Sequence, residues 1–330
     1  MKLAWIGTHN LGAHLENQGF EHVRIPLPLQ SVLDWEDVCS LAGFEPDALV
    51  YSDRSLPPPL AGVERFPCLT CFYAVDTHIH SWYPFYAQFF DCCAVSLRDH
   101  LPWFQGSDQL GETIWLPPFP ADKDRPQPEA APEWDAVFVG KVDAETTPKR
   151  KAFLDEVERL APGLVHVTRG RYAELFPRAK VVLNIAERGD LNFRVFEALA
   201  CGACLLTPRI GHGQNEFFPP GECLEVYENL DAADAVGRLR ELLADPDRRR
   251  GLAEAGHAEI ERAHRRRHRV KSLAGLLRSE GASRACNDRL RNPGRFALEL
   301  GAFYLHWAVH LKDEACRQKM VAAGLAAKQG

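Results

Sequence analysis

The chain has 330 residues, 46% of them apolar and 25% charged, with a net charge of −6; this is ordinary globular composition with room for two domains, and the charge excludes a global attraction for nucleic acid or anionic membrane. No stretch reaches the roughly 18 apolar residues of a membrane span, and the opening MKLAWIGTHNLGAHL lacks the charged lead and long apolar core of a signal peptide. Ten cysteines scattered among apolar neighbours read as reduced, buried thiols, so a cytoplasmic location is expected rather than a disulfide framework.

Residues 2–6 form a short apolar strand running into Gly7 and the turn GTHNLG, which ends at Gly12. That is the opening of a doubly wound α/β domain, and the glycine spacing is not GxGxxG, so a dinucleotide fingerprint is not supported. Further strands are predicted over 22–25, 48–52, 68–74, 92–96 and 113–116, with helices around 35–44, 81–90 and 97–104. Strands alternating with helices imply a mostly parallel sheet. The stretch 117–132, PPFPADKDRPQPEAAP, holds six prolines and reads as a stiff, extended linker. The expected division is a first domain over 1–120, a linker over 121–133, a second domain over 134–270 and terminal helices over 271–330.

The second series opens with the continuous apolar run of 136–139, a strand buried on both faces, ending in Gly140 and Lys141. A helix over 148–160, a strand over 165–168 and a short helix over 172–176 follow. Another apolar strand, around 181–185, leads through a polar loop (187–191) to NFRVFEALACGACLLTP at 192–208. This reads as a helix, a glycine stop at Gly202 and a buried strand. Its loop and helix start lie at the carboxyl end of a strand, where open α/β sheets bind ligands. Arg194 and Glu197 share one helix face. An anion at the helix start near Asn192 would meet free backbone N–H groups and Arg194. A strand over 222–227 and helices over 231–243 and 246–269 complete the domain, and the remainder to 330 reads as helical.

The stretch 180–269 resembles the C-terminal domain of GT-B glycosyltransferases, and more narrowly their CgeB-like branch, related to family 4. It carries in order an asparagine-bearing strand end, R-x-F-E-A-x-A-x-G from Arg194 to Gly202, F-x-x-G-E from Phe218 to Glu222, and an R-x-x-L-A-x-x-G helix ending at Gly256. In the first domain, D-x-H-x-H at Asp76, His78 and His80, then Y-A-x-x-F-D ending at Asp91, is similar to the same branch. The resemblance implies two Rossmann-like α/β domains facing a cleft: a nucleotide-sugar on the second, an acceptor on the first, the loop at Gly7 and Gly12 lining the cleft, and terminal helices packing back on the first domain. It puts the nucleotide-binding glutamate on Glu197, where a carboxylate can accept from two ribose hydroxyls. Arg194, Asn192, Lys141 and Gly140 are the further donor-site candidates. Gly211, His212 and Gly213 would approach the donor sugar and phosphates. Asp76, His78 and His80 are the catalytic candidates, Asp76 as a base. The implied activity is glycosyl transfer from a nucleoside-diphosphate sugar to a hydroxyl or amide of a glycan, protein or small molecule. No cofactor beyond the donor is expected, and no metal. Family 4 retaining enzymes usually carry two glutamates with seven residues between them; Gly189 stands where the other would be, which leaves the stereochemical outcome open, with retention favoured weakly over inversion.

Two other readings stand beside this one. One is a GT-B protein that binds a nucleotide-sugar or partner without turnover. The other is a metal-dependent hydrolase built on Asp76, His78 and His80, whose alternation would align them on a strand. The cysteine pairs 68/71 and 201/204 read as buried thiols rather than zinc ligands. Residues 262–269, RAHRRRHR, read as a solvated helix end in preference to a peripheral membrane or lipid contact. Phe296, Leu300, Phe303 and Trp307 form an apolar stripe expected to pack on protein.

Overall fold

The computed structural model describes residues 1–28, 31–106, 110–127, 129–295 and 297–328. The chain forms two compact units, one of Met1–Pro117 with Arg269–Gly330 and one of Pro118–His268.

The first unit contains β1 (Lys2–Gly7), α1 (Ala13–Glu16), β2 (Glu21–Ile25), α2 (Trp35–Ala42), β3 (Ala48–Ser52), β4 (Leu69–Ala74), α3 (Tyr83–Ala87), β5 (Cys92–Val95) and β6 (Thr113–Trp115). Its sheet is parallel throughout, in the order β2-β1-β3-β4-β5-β6. Strands β3 and β4 are buried at every residue, which is why they are mostly apolar with little polar alternation. Gly7 has φ 101°, and a Cβ there would lie 1.9 Å from the Ser52 carbonyl oxygen. Only glycine lets β1 end this close to β3. The expected helix near 97–104 is instead a 3-10 stretch, Arg98–Phe104, because Pro102 inside it supplies no backbone donor.

The second unit contains β7 (Trp134–Val139), α4 (Pro148–Leu160), β8 (Val165–Thr168), α5 (Tyr172–Leu175), β9 (Ala179–Leu183), α6 (Phe193–Ala200), β10 (Leu205–Pro208), α7 (Gln214–Phe217), β11 (Glu225–Tyr227), α8 (Ala232–Ala244) and α9 (Pro246–Glu259). Its sheet is also parallel, in the order β11-β10-β9-β7-β8. Helix α6 ends as the sequence suggests. Gly202 has φ 71°, its N–H reaches the Leu199 carbonyl at 3.1 Å, and the Ala203 N–H reaches Ala198 at 3.0 Å; this is a Schellman closure.

Two expectations from composition change here. The proline-rich stretch does not stand free, since Pro126 packs beside Gly202 and Asp124 is fully buried. The arginine-rich run is not simply a solvated end: the helix from 246 breaks at Arg265, which has extended backbone and is 2% exposed. Its guanidinium donates to the Asp124 carbonyl at 2.7 Å and to Glu261 at 2.6 Å, while Arg262 pairs with Glu259. A buried guanidinium needs such a full set of acceptors.

Helices α10 (Arg266–Leu277), α11 (Glu280–Arg291), α12 (Ala297–Ala308) and α13 (Glu314–Ala327) follow. Leu300, Phe303 and Tyr304 of α12 sit in the core of the first unit, and Trp307 meets the Trp82 ring at 5.2 Å. Phe296, read as part of the same stripe, lies outside the described residues. Among the described residues, no helix is long and apolar enough to cross a membrane.

Candidate functional site

Both sheets reverse their strand order once, between β1 and β3 in the first and between β7 and β9 in the second. The carboxyl edge at such a reversal is where open α/β sheets receive ligands. Gly7 and Gly12 follow β1, and Gly140, Lys141, Asn192, Arg194 and Glu197 follow β7 and β9 at these reversals, whereas Asp76, His78 and His80 follow β4 and Gly211, His212 and Gly213 follow β10, each one strand further out.

In the second unit, Gly140 and the exposed Lys141 follow β7, and Asn192 begins α6 after the loop leaving β9. A Cβ at Gly140 would lie 3.0 Å from the Phe138 ring and 3.4 Å from the Arg194 guanidinium, so glycine makes room for both. Arg194 lies over the Phe138 ring at 5.5 Å, and Arg150 of α4 lies over it at 5.6 Å. Arg150 also pairs with Glu187 at 3.0 Å and donates to the Lys141 carbonyl at 2.9 Å. The Arg194 Nε is shielded from solvent with no hydrogen-bond partner among the described residues, as is the Asn192 Oδ1. Burial lowers the Arg194 pKa, opposed by the charge of Glu197. No side chain caps the start of α6. The result is a shielded cation beside open backbone donors, an arrangement suited to an anion.

Glu197 is half-buried one turn into α6. Burial pushes its pKa up to about 7; Arg194 pulls it down, Asp124 raises it, and a hydrogen bond with Tyr172 lowers it. Gly189 sits in a turn with φ 76° and open space around it, and Glu187, the neighbouring carboxylate, is taken up by Arg150. Gly211, His212 and Gly213 form the turn into α7. His212 and Gly213 have φ 56° and 81°, and the Gln214 side chain holds the turn by accepting from the Ile210 N–H at 3.1 Å and donating to the Pro208 carbonyl at 3.1 Å.

In the first unit, Gly7 ends β1 and Gly12 precedes α1 with φ 59°. Asp76, His78 and His80 follow β4 in a turn, with the N–H groups of Ile79 and His80 donating to the Asp76 carbonyl at 2.9 and 3.2 Å. They are not on a strand, so the alternation behind the metal-hydrolase reading does not operate. The His80 ring packs against Tyr83 at 4.9 Å and Trp82 at 5.9 Å. Among the described residues no group of three or more His, Cys, Asp or Glu side chains is placed to hold a metal ion. Asp76 instead joins a cluster that sequence spacing does not reveal. Its carboxylate accepts from the Ser55 hydroxyl. Beneath it, Asp53 accepts from the N–H groups of Val75, of Asp76 at 3.0 Å and of Ser55 at 3.1 Å. Burial, and then the charge of Asp76, push Asp53 up to about 7, against those three donors. Thr8, after β1, donates to the Asp53 carbonyl at 2.7 Å. Asp53, Ser55, Arg150, Tyr172 and Asp124 were missed because each meets its partner from another element; the one available signal was a polar residue just past an apolar strand, as at Asp53.

Residues 129–275 match the glycosyl transferase-like family, just under half of the chain. No curated protein sequence matches it. Among solved structures, a sucrose-phosphate synthase (tll1590) from Thermosynechococcus elongatus superposes with a TM-score of 0.61 at 13% identity, covering 84% of this chain and 98% of that one. Anabaena Alr3699/HepE, solved with UDP and glucose, gives 0.58 at 10% identity, covering 84% and 100%. WaaG, a glycosyltransferase involved in lipopolysaccharide biosynthesis, gives 0.51 at 14% identity with the same coverage. With two parallel-sheet α/β units, the chain shares the fold of these glycosyltransferase structures, and its residues 129–275 match the glycosyl transferase-like family.

Proposed function

We propose that the protein transfers a glycosyl group from a nucleoside-diphosphate sugar to an acceptor nucleophile. The observation that carries this reading is the shielded Arg194 guanidinium beside the open start of α6, with Glu197 one turn further in. Arg194, with Lys141 and the loop at Gly140, takes the diphosphate and stabilises the negative charge that the leaving group gains in the transition state. Glu197 takes the ribose hydroxyls. Asn192 and the turn of Gly211, His212 and Gly213 face the phosphates and donor sugar. The solved relative Alr3699/HepE carries UDP and glucose, which supports a nucleotide-sugar as the donor class.

In the first unit, the Asp76 turn with His78 and His80 and the loop of Gly7 and Gly12 form the acceptor side. Asp76, anchored by Ser55 over Asp53, is the candidate general base. In an inverting reaction Asp76 takes the acceptor proton; in a retaining one the leaving phosphate does. Incubation with a panel of UDP-, GDP- and dTDP-sugars and a mixed hydroxyl acceptor pool should release nucleoside diphosphate. Asp76→Asn should lower kcat about 100-fold with little change in donor KM if the base role holds; an unchanged kcat removes that role. A second reading, binding without turnover, is favoured by one feature: Gly189 stands where related retaining enzymes carry a glutamate, and Glu187 is engaged by Arg150. Donor affinity without release of nucleoside diphosphate in that assay would select it.

A further inference from the structure

Two guanidinium groups from different helices lie over one aromatic ring. Arg150 of α4 and Arg194 of α6 stand 5.6 and 5.5 Å from the centre of the Phe138 ring. Two like charges this close repel, and an anion that meets both relieves the repulsion. The Nε atoms of both are shielded from solvent, with no hydrogen-bond partner among the described residues. Arg150 has one ion-pair partner. Its Nε lies 3.0 Å from the Glu187 Oε1, but not in the geometry of a hydrogen bond. Its Nη1 donates to the Lys141 carbonyl at 2.9 Å. Glu187 belongs to the loop from β9 to α6. Two residues on, Gly189 has φ 76° and open space where a Cβ would stand.

A diphosphate offers what Glu187 does not. It carries more negative charge and more acceptor oxygens, and it can meet two guanidinium groups at once. We propose that Glu187 is a stand-in anion that competes with the donor diphosphate for Arg150. Without donor, Glu187 neutralises Arg150; the diphosphate displaces it and takes Arg150 and Arg194 together. The inference rests on the donor site proposed above. It makes the Glu187–Arg150 pair an autoinhibitory contact, because nucleotide affinity is reduced by the fraction of molecules in which Arg150 is held. An ion pair beside a phosphate site can also act in the reverse sense, the carboxylate orienting its arginine toward the ligand. Loss of the carboxylate then weakens binding, whereas loss of a competitor strengthens it. The sign of the effect therefore separates the two roles.

The test is calorimetry on the full chain with UDP, GDP, ADP, dTDP and inorganic pyrophosphate, in the wild type, Glu187→Gln, Arg150→Gln and the double variant. Glu187→Gln should tighten pyrophosphate and at least one nucleoside diphosphate alike, each about 5-fold. The gain should vanish once Arg150 is glutamine, because the competition needs its guanidinium. Unchanged or weaker binding in Glu187→Gln overturns the proposal. So does a gain that persists in the Arg150→Gln background, which the lost negative charge would produce through its field alone. A gain confined to the nucleotides overturns it too, since Glu187 would then face the base or ribose. Arg194→Ala separates this inference from the reading beneath it. Binding that falls in Arg194→Ala but is unmoved in Glu187→Gln refutes the stand-in role and keeps the donor site. Binding of no probe by any of these proteins refutes the donor site, and the stand-in role with it.

Discussion

Two carboxyl groups stand out at the residue scale because burial shifts both well above the ordinary carboxylate range. Asp53 and Glu197 are each raised to about 7, in both cases chiefly by burial. The folded chain thus holds these protons more tightly than the unfolded chain does. The stability each contributes is complete below about pH 4 and is lost as pH rises through about 7. Melting followed by circular dichroism should show the midpoint temperature falling between pH 5 and 8, with a slope of up to about 1.4 kcal/mol per pH unit from each group. Asp53→Asn and Glu197→Gln should each flatten that profile; a slope unchanged in both variants would mean that neither group is perturbed. Glu197 was legible in the sequence because its helix carries a motif within nine residues. Asp53 was not, because the N–H groups it accepts include those of Val75 and Asp76, which follow a different strand.

At the element scale, the strands were the most legible part of the chain. Parallel strands covered on both faces become largely apolar runs, and the strands predicted over 48–52 and 68–74 agree with β3 and, to within one residue, with β4. Helix ends were legible where a glycine marks them, as at Gly202. A Cβ there would meet Pro126 at 3.0 Å in addition to the strain of φ 71°. Gly202→Ala should therefore cost about 1 kcal/mol or more in urea denaturation, and an unchanged midpoint would mean that the proline segment yields freely. The break at Arg265 and the docking of residues 118–127 were not legible, because both depend on acceptors more than 100 residues away. Helix α11 shows the same kind of long-range device. Arg289 donates to both Asp91 oxygens at 2.8 Å and to the carbonyls of Glu64, Phe66 and Cys68. Arg289→Met strands a buried carboxylate and should cost about 3–5 kcal/mol. The double change with Asp91→Asn should recover part of that loss in the same urea titration.

On the scale of the whole molecule, two sheets of the same parallel type carry their candidate residues on loops after the carboxyl ends of strands, those of Gly7 and Gly12 and of Arg194 and Glu197 at a reversal of strand order and those of Asp76 and of Gly211 one strand further out. The fold class followed from alternating strands and helices, but strand order did not, since spacing along the chain does not say which strands become neighbours. The same limit applies to the proposed donor site. Sequence put Arg194 and Glu197 on one helix face, while Phe138, Arg150, Tyr172 and Asp124 come to them from other elements. The central claim is that this edge of the second unit holds a nucleoside diphosphate. Isothermal titration of the full chain with UDP, GDP, ADP and dTDP at pH 8 tests it most directly. The account predicts one-to-one binding of at least one of them, weakened about 10- to 100-fold in Arg194→Ala and in Glu197→Ala, with both variants folded by circular dichroism. Binding by none of the four, or undiminished binding in both folded variants, would contradict it.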